Sequence, residues 1–406
     1  MGRFFIRGGG ELRGEICAGG SKNAALPIIF SCILIYGKST LTNLPNITDV
    51  EVALDILCDF GASVERIGDT AVIDTTTLYY RTPDREKVSK IRASSYLIGA
   101  CLSRFGKTEL QSFGGCNFDN RPIDMHLAAA TALGAEIRDS TLVAERLCGA
   151  DIIFDKISVG ATVNALLLSA SAGGISRIYG YAREPHVMSL IEFLNRAGGK
   201  IEVFRDFILV RGATLTASNA NIISDMIEAG TYLALSLATD SEIKVSGADS
   251  VELQSFIDAC VRCGAVAEIC EKSIVFSGCI TGPMHIVTAP YPEFPTDLQP
   301  LTAPLMACSF GGSITEGVWK NRFGYLNELS KFGVKFENKD GSAVIYKSEM
   351  HPAVATATDL RGGAALLVAA LCAEGESVIE NSDIIKRGYS DIVKKLRGIG
   401  VQIEEF

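Results

Sequence analysis

The sequence has little of what marks a nucleic-acid binder, a metalloprotein or a membrane span. Among 406 residues, Lys and Arg total 38 against 47 Asp and Glu, for a net charge of -9. No basic block stands out, so nucleic acid and anionic membrane surfaces are disfavoured as partners. There are only four histidines (His126, His186, His285, His351). They are scattered without a zinc or haem signature, and no metal is expected. The longest apolar stretch, Ala24 to Tyr36, is shorter than the roughly 20 residues a membrane span needs. The opening Met1-Gly-Arg-Phe-Phe-Ile reads as a short strand without a signal-peptide core, and a cytoplasmic protein is expected.

What is present is apolar. The chain is 48% hydrophobic and 21% charged, with 40 glycines and a mean hydropathy of +0.25. Disorder is excluded, and helices buried on most sides are implied. Several of the twelve cysteines (Cys32, Cys101, Cys308, Cys372) lie in apolar runs, which suits reduced thiols packed as small hydrophobes. The chain is too long for one ordinary core, so it holds several domains or a repeated unit.

A repeat resolves that choice. A polar cluster followed by a small-residue apolar helix recurs with starts near 21, 92, 161, 229, 296 and 358. A second, amphipathic helix follows each time and ends before a glycine: Gly61, Gly134, Gly198, Gly264, Gly333 and Gly400. These second helices are predicted over 50–60, 125–133, 187–197, 251–263, 323–332 and 389–399. Glycine there supplies the left-handed residue that closes a helix, and short alternating strands follow. A TIM barrel needs a shorter period and eight copies, and a Rossmann sheet needs its glycine fingerprint. The better solution is an α/β protein of six units of about 67 residues, with sheets outside, apolar helices inside and three units per globule. Two pseudo-symmetric domains with a cleft between them are expected.

The apolar helices begin with unusual polar residues: Lys22 and Asn23, Arg92, Ser158 with Thr162, Glu228, Asp297, and Asp359 with Arg361. Helix N-termini favour anions, so an acidic protein can still hold an anionic ligand locally. The bland alternative is that each polar residue caps its own helix. Lys22 opposes the helix dipole unless an anion faces it. The stretch Phe113 to His126 is loop-like and carries Cys116, Asp119, Arg121 and Asp124. A loop thiol near an arginine is a nucleophile, a general acid or incidental. Asp297 and Asp359 each sit in Thr-Asp-Leu, with Arg322, Arg361 and Arg387 in the same third of the chain. Such carboxylates accept protons and such guanidiniums hold carboxylate or phosphate; capping and internal ion pairs are the alternatives. Cys260-Val-Arg-Cys263, with Cys270 and Cys279 beyond, fits no tight metal module and is placed at the solvent side of its helix end. Gly8-Gly-Gly10 reads as a hairpin turn.

At these residues the sequence resembles the enolpyruvyl transferases, over essentially the full chain. The motifs are Gly20-Ser-Lys-Asn-Ala-Ala-Leu-Pro, Ile91-Arg-Ala-Ser, Gly114-Gly-Cys-x4-Arg-Pro-Ile-Asp-Met-His and Ser158-Val-Gly-Ala-Thr, then Ala182-Arg-Glu-Pro, Phe294-Pro-Thr-Asp-Leu-Gln, Glu316-Gly-Val-Trp-Lys-Asn-Arg, Ala357-Thr-Asp-Leu-Arg and Arg387-Gly-Tyr. The cysteine loop favours the branch acting on a sugar nucleotide over the branch acting on shikimate phosphate. The resemblance implies an inside-out α/β barrel fold, with residues 21–225 as one domain and 1–20 plus 226–406 as the other. It implies transfer of the enolpyruvyl group of phosphoenolpyruvate to the 3'-hydroxyl of UDP-N-acetylglucosamine by addition and elimination of phosphate, in peptidoglycan synthesis. No cofactor is implied, and the protein would be a monomer or weak oligomer.

In that pattern Cys116 is the general acid at the methylene carbon, Asp297 the base, and Lys22 and Arg387 catalytic cations. Lys22, Asn23, Arg121, Arg361 and Arg387 bind phosphoenolpyruvate. Arg92, Arg121, Pro122, Ile123, Asp124, Met125, Lys156, Ser158, Val159, Asp297 and Val318 line the UDP-sugar site, and Asp359 and Arg322 support the centre. Three positions depart from the family pattern: Asp119 replaces a loop glycine, Tyr96 stands for Trp, and Met226 for an arginine. These leave open a divergent paralogue that binds a UDP-sugar with weak or no catalysis, or that uses a related acceptor.

Overall fold

The computed structural model describes residues 2–110, 113–114 and 122–406. Its described part divides into two units, one built from residues up to Gly19 and from Ser224–Phe406, the other from residues between Gly20 and Ile223.

In the first unit the helices Met226–Ala238, Gln299–Cys308 and Leu360–Cys372 pack on one another. Almost every residue of Leu360–Cys372 is buried, as its run of Ala, Leu and Gly requires, because a helix apolar on all sides has no face for water. Three four-stranded mixed sheets belong to this unit. In one, Arg3–Gly8 lies between Gly375–Glu380 and Gln402–Glu405, antiparallel to both. In another, Gly14–Cys17 runs parallel to Ile243–Ser246. Gly8–Gly10 is therefore a passage between two sheets, which corrects the hairpin reading. The glycines serve a close approach: a Cβ on Gly8 would sit 2.1 Å from the Ala370 carbonyl oxygen, and the Gly9 amide donates to Leu371 O at 3.1 Å.

The second unit has its own core, in which Leu97–Phe105 packs on Val159–Ser171 and touches Lys22–Ser31, which itself packs on Pro185–Arg196. Its sheets are the four-stranded ones containing Lys38–Thr42 and Ile175–Tyr179, and a third of Lys107–Glu109, Glu136–Arg138 and Thr141–Val143. The repeat start near 92 is not yet α-helix. Arg92–Tyr96 is a 3-10 turn, held by Ser94 Oγ donating to Val88 O and Ile91 O. Such local side-chain bonds compete with a helical ladder.

All six glycines predicted to close the amphipathic helices have positive φ, from 90° at Gly61 to 109° at Gly264. The helices themselves are shorter than expected at three places. The fourth begins at Gln254, because Asp249 folds residues 249–253 into a turn by accepting from the Val251 amide. The fifth is α-helical only over Tyr325–Leu329 and tightens to 3-10 at Ser330–Phe332. The sixth starts at Ile392, after Asp391 takes a left-handed conformation at φ 52°. No helix among the described residues is long and apolar enough to cross a membrane.

Candidate functional site

In the first unit the polar side chains converge on Asp297. Its Oδ1 accepts from Arg322 Nη1 at 2.7 Å and its Oδ2 from Arg361 Nε at 3.3 Å. The two arginines are almost wholly buried, at 4% and 2% side-chain exposure, while Asp297 keeps 31%. The cations are thus fixed in the protein and the carboxylate faces outward. Arg361 lies against the Tyr389 ring, 5.4 Å from its centre, and the Tyr389 and Thr231 hydroxyls are 2.8 Å apart. Burial pulls the Arg361 pKa down, but the Tyr389 hydroxyl and the Asp297 and Asp225 carboxylates outweigh it and raise the pKa above its ordinary value. Asp359 does a different job: its Oδ1 accepts from the Arg361 and Gly362 amides at 3.0 and 2.9 Å, capping Leu360–Cys372. Val318 lies in the turn after Gly312–Glu316, its amide donating to Glu316 Oε1 at 2.9 Å. Arg387 is half-buried and closes the short helix Asp383–Lys386.

The second unit holds two further groupings. Ser21 caps Lys22–Ser31, and Lys22 Nζ lies 3.3 Å from Asp49 Oδ2, with side-chain exposures of 15% and 4%. The anion that Lys22 needs is therefore internal, and the ammonium keeps donors for a second one. Asn23 is half-buried beside it. Around Arg92 and Asp124 lies the buried His126, whose Nδ1 is 2.7 Å from Asn164 Nδ2. Burial, reinforced by Arg92 and opposed by Asp124, pushes the His126 pKa down to about 4. The ring is neutral near pH 7 and accepts at Nδ1, so Nε2 carries the proton. Asn164 also accepts from the Gly99 amide at 2.6 Å and donates to Ser95 O at 3.1 Å. Pro122 and Asp124 are exposed, Ile123 and Met125 half-buried, at the start of Asp124–Ala132. Lys156 is exposed, and Ser158 caps Val159–Ser171 by accepting from the Ala161 amide. Cys116, Asp119 and Arg121 lie outside the described residues.

The structure brings Asp297, Arg322 and Arg361 together, with Asp359 bonded to the Arg361 backbone amide. Of the polar residues at the six helix starts, Ser158 and Asp359 are caps. Glu228 is buried instead, accepting from Lys395 Nζ and the Tyr232 hydroxyl at 2.6 Å and the Gly19 amide at 2.7 Å. Cys260 and Cys263 correct the expectation of a solvent-side pair: both are buried in the core, at 0% and 7% exposure. Sequence reasoning passed over Asp49, Asn164, Thr296 and Glu316. The available signal was a polar side chain in a core-facing position, as with Asn164 inside Val159-Gly-Ala-Thr-Val-Asn-Ala-Leu.

Comparison with known proteins agrees on one family. The model of EPSP synthase (3-phosphoshikimate 1-carboxyvinyltransferase) matches residues 6–396. A UDP-N-acetylglucosamine 1-carboxyvinyltransferase 3 from Caldanaerobacter subterraneus subsp. tengcongensis is 40% identical over 414 residues, covering 99% of each chain. A UDP-N-acetylglucosamine 1-carboxyvinyltransferase from Halothermothrix orenii is 40% identical over 413 residues, covering 100% of each. Among solved structures, the enolpyruvyl transferase NikO from Streptomyces tendae superposes with a TM-score of 0.89 at 25% identity, covering 100% of this chain and 99% of that one. An EPSP synthase from Acinetobacter baumannii shares the fold with a TM-score of 0.72 at 15% identity, covering 100% of both chains.

Proposed function

This chain belongs to the enolpyruvyl transferase family, and from that premise we propose that it moves the enolpyruvyl group of phosphoenolpyruvate onto the 3'-hydroxyl of UDP-N-acetylglucosamine, releasing phosphate. The product feeds peptidoglycan synthesis, and so cell shape and division, in the cytoplasm. Each unit is read as an inside-out α/β barrel, sheets around apolar helices, acting in a monomer or weak oligomer. The observation that carries the chemical reading is Asp297, an outward-facing carboxylate held by two buried guanidiniums.

A carboxylate has about four lone-pair sites, and Asp297, still 31% exposed beside its arginines, is read as accepting from a substrate hydroxyl. It removes the acceptor's proton as the oxygen attacks C2 of phosphoenolpyruvate. Cys116 gives a proton to the methylene carbon; an ordinary thiol, with pKa about 8.5, carries that proton at neutral pH. Lys22, Asn23, Arg121, Arg361 and Arg387 hold the phosphate and carboxylate. Fixed cations of this kind stabilise charge that builds in the addition intermediate without reorganising. Arg92, Pro122 to Met125, Lys156, Ser158, Val159 and Val318 receive the sugar nucleotide, and Arg322 and Asp359 support the centre.

The test is phosphate release from phosphoenolpyruvate with UDP-N-acetylglucosamine, for the intact protein and for Cys116→Ala and Asp297→Asn. Release that needs both substrates and collapses in both variants is the expected result. Binding of UDP-N-acetylglucosamine without release from the intact protein sinks the catalytic reading and leaves a binding paralogue. Release that survives Asp297→Asn sinks the assigned base.

A further inference from the structure

Glu316 ends the strand Gly312–Glu316 in phase with Ile314, on its core side, and is 2% exposed. A carboxylate there is costly unless hydrogen bonds replace its water. They do. Oε1 accepts from the Thr288 hydroxyl at 2.6 Å and from the Val318 and Trp319 amides at 2.9 and 3.0 Å, and Oε2 from the Thr296 hydroxyl at 2.9 Å. A carboxylate can only accept, so it sets the direction of the hydrogen bonds around it. Thr296 gives its proton to Glu316 and turns a lone pair to Arg322 Nη1 at 3.0 Å. That same nitrogen donates to Asp297 Oδ1 at 2.7 Å. The adjoining turn is held as tightly: the Gly317 amide donates to Thr288 Oγ1 at 3.0 Å, and a Cβ on Gly317 would lie 2.4 Å from Thr288 O.

We propose that Glu316 is a positioning residue for the transfer reaction. Through Thr296 and Arg322 it orients the Asp297 carboxylate, and through its amide bonds it shapes the turn bearing Val318. This rests on the reading of Asp297 as the base. Glu316 itself is sealed from solvent by the groups it binds.

The test is a double-mutant cycle on the full chain, read by phosphate release. Glu316→Gln keeps the shape but turns one acceptor into a donor, and Thr296→Val removes the relaying hydroxyl at constant size. Each variant lowers kcat about tenfold or more, the scale of effect a misplaced reacting group produces, with KM for phosphoenolpyruvate within about twofold. In an Asp297→Asn background, Glu316→Gln costs less than about twofold more, because the residue it acts through is already disabled. Thermal melts accompany each variant; where Glu316→Gln fails to fold, Thr296→Val carries the test. A Glu316→Gln loss repeated in full in the Asp297→Asn background overturns the proposal, as does unchanged kcat in Thr296→Val. Wild-type turnover in Asp297→Asn alone removes the base reading, and this proposal with it.

Discussion

Thr296-Asp297-Leu298 and Thr358-Asp359-Leu360 occupy corresponding places in successive repeats, yet the two aspartates do opposite things. Asp359 turns inward and caps its helix through the Arg361 and Gly362 amides. Asp297 is not the cap residue of its helix, which begins at Gln299 after Leu298; its oxygens accept from Arg322 and Arg361. One contributor is a proline; the helix register is another, with Leu298 and not Asp297 at the cap position. A capping carboxylate accepts from the amides two or three positions on. Three residues after Asp359 stands Gly362, with an amide; three after Asp297 stands Pro300, with none. Proline removes one of the two local donors, leaving only the Gln299 amide, and the Asp297 oxygens bond instead to the distant arginines. A missing amide and a one-residue shift of the helix start are thus the local differences between a structural aspartate and one read as fit for chemistry.

Asp297→Asn strikes the side of that contrast assigned to catalysis. General base catalysis is worth about 10²–10⁴-fold, so kcat falls by that order while the thermal midpoint moves little. A midpoint that falls as far as it does in Asp359→Ala, with turnover retained, erases the distinction.

The contrast extends to the other unit, where Ser158 caps Val159–Ser171 and Asn164, unused for capping, holds His126. With the folded pKa of His126 pushed down to about 4 from an ordinary 6.5, the unfolded chain binds the extra proton first. Stability is therefore full above about pH 6.5 and falls as pH drops towards 4, by on the order of 2–3 kcal/mol. Urea melts at pH 4.5 and 7 measure it. His126→Gln flattens that part of the profile; an unchanged slope assigns it to other groups.

Asp359→Ala removes a cap and costs about 1 kcal/mol in thermal or urea unfolding, whereas Asp359→Asn, itself a good cap, costs a few tenths. Equal losses from the two would mean that the Asp359 charge, and not its capping bond, holds this helix. The smallest effect is expected of Pro300→Ala. It restores an amide within reach of Asp297, so kcat falls several-fold as the carboxylate turns to cap. The melting point stays nearly level, since the new cap offsets the lost rigidity of proline in the unfolded chain. Unchanged phosphate release separates Pro300 from the orientation of Asp297.

Much of this was legible in residue order because it is local or periodic. The six apolar helices follow from runs that leave no polar face, as in Leu360–Cys372. Their amphipathic partners follow from the glycines, which take the positive φ found at all six positions without steric cost. Helix starts were less legible. Ser94 and Asp249 redirect nearby backbone by hydrogen bonds that a hydrophobic period does not register.

Sequence alone determined the repeat, the apolar helix cores and the residue types available for anions. It also determined the family, through motifs spread along the whole chain. Only the tertiary structure decided which partners those residues have. Lys22 meets Asp49 across 27 positions, and Asp297 meets Arg361 across 64. Glu316 reaches Thr288 across 28 and Thr296 across 20. A hydrogen bond depends on a few tenths of an ångström and on direction, whereas a hydrophobic pattern specifies only which face is buried. Periodicity therefore reached the helices and strands, and the satisfaction of buried charge waited on packing.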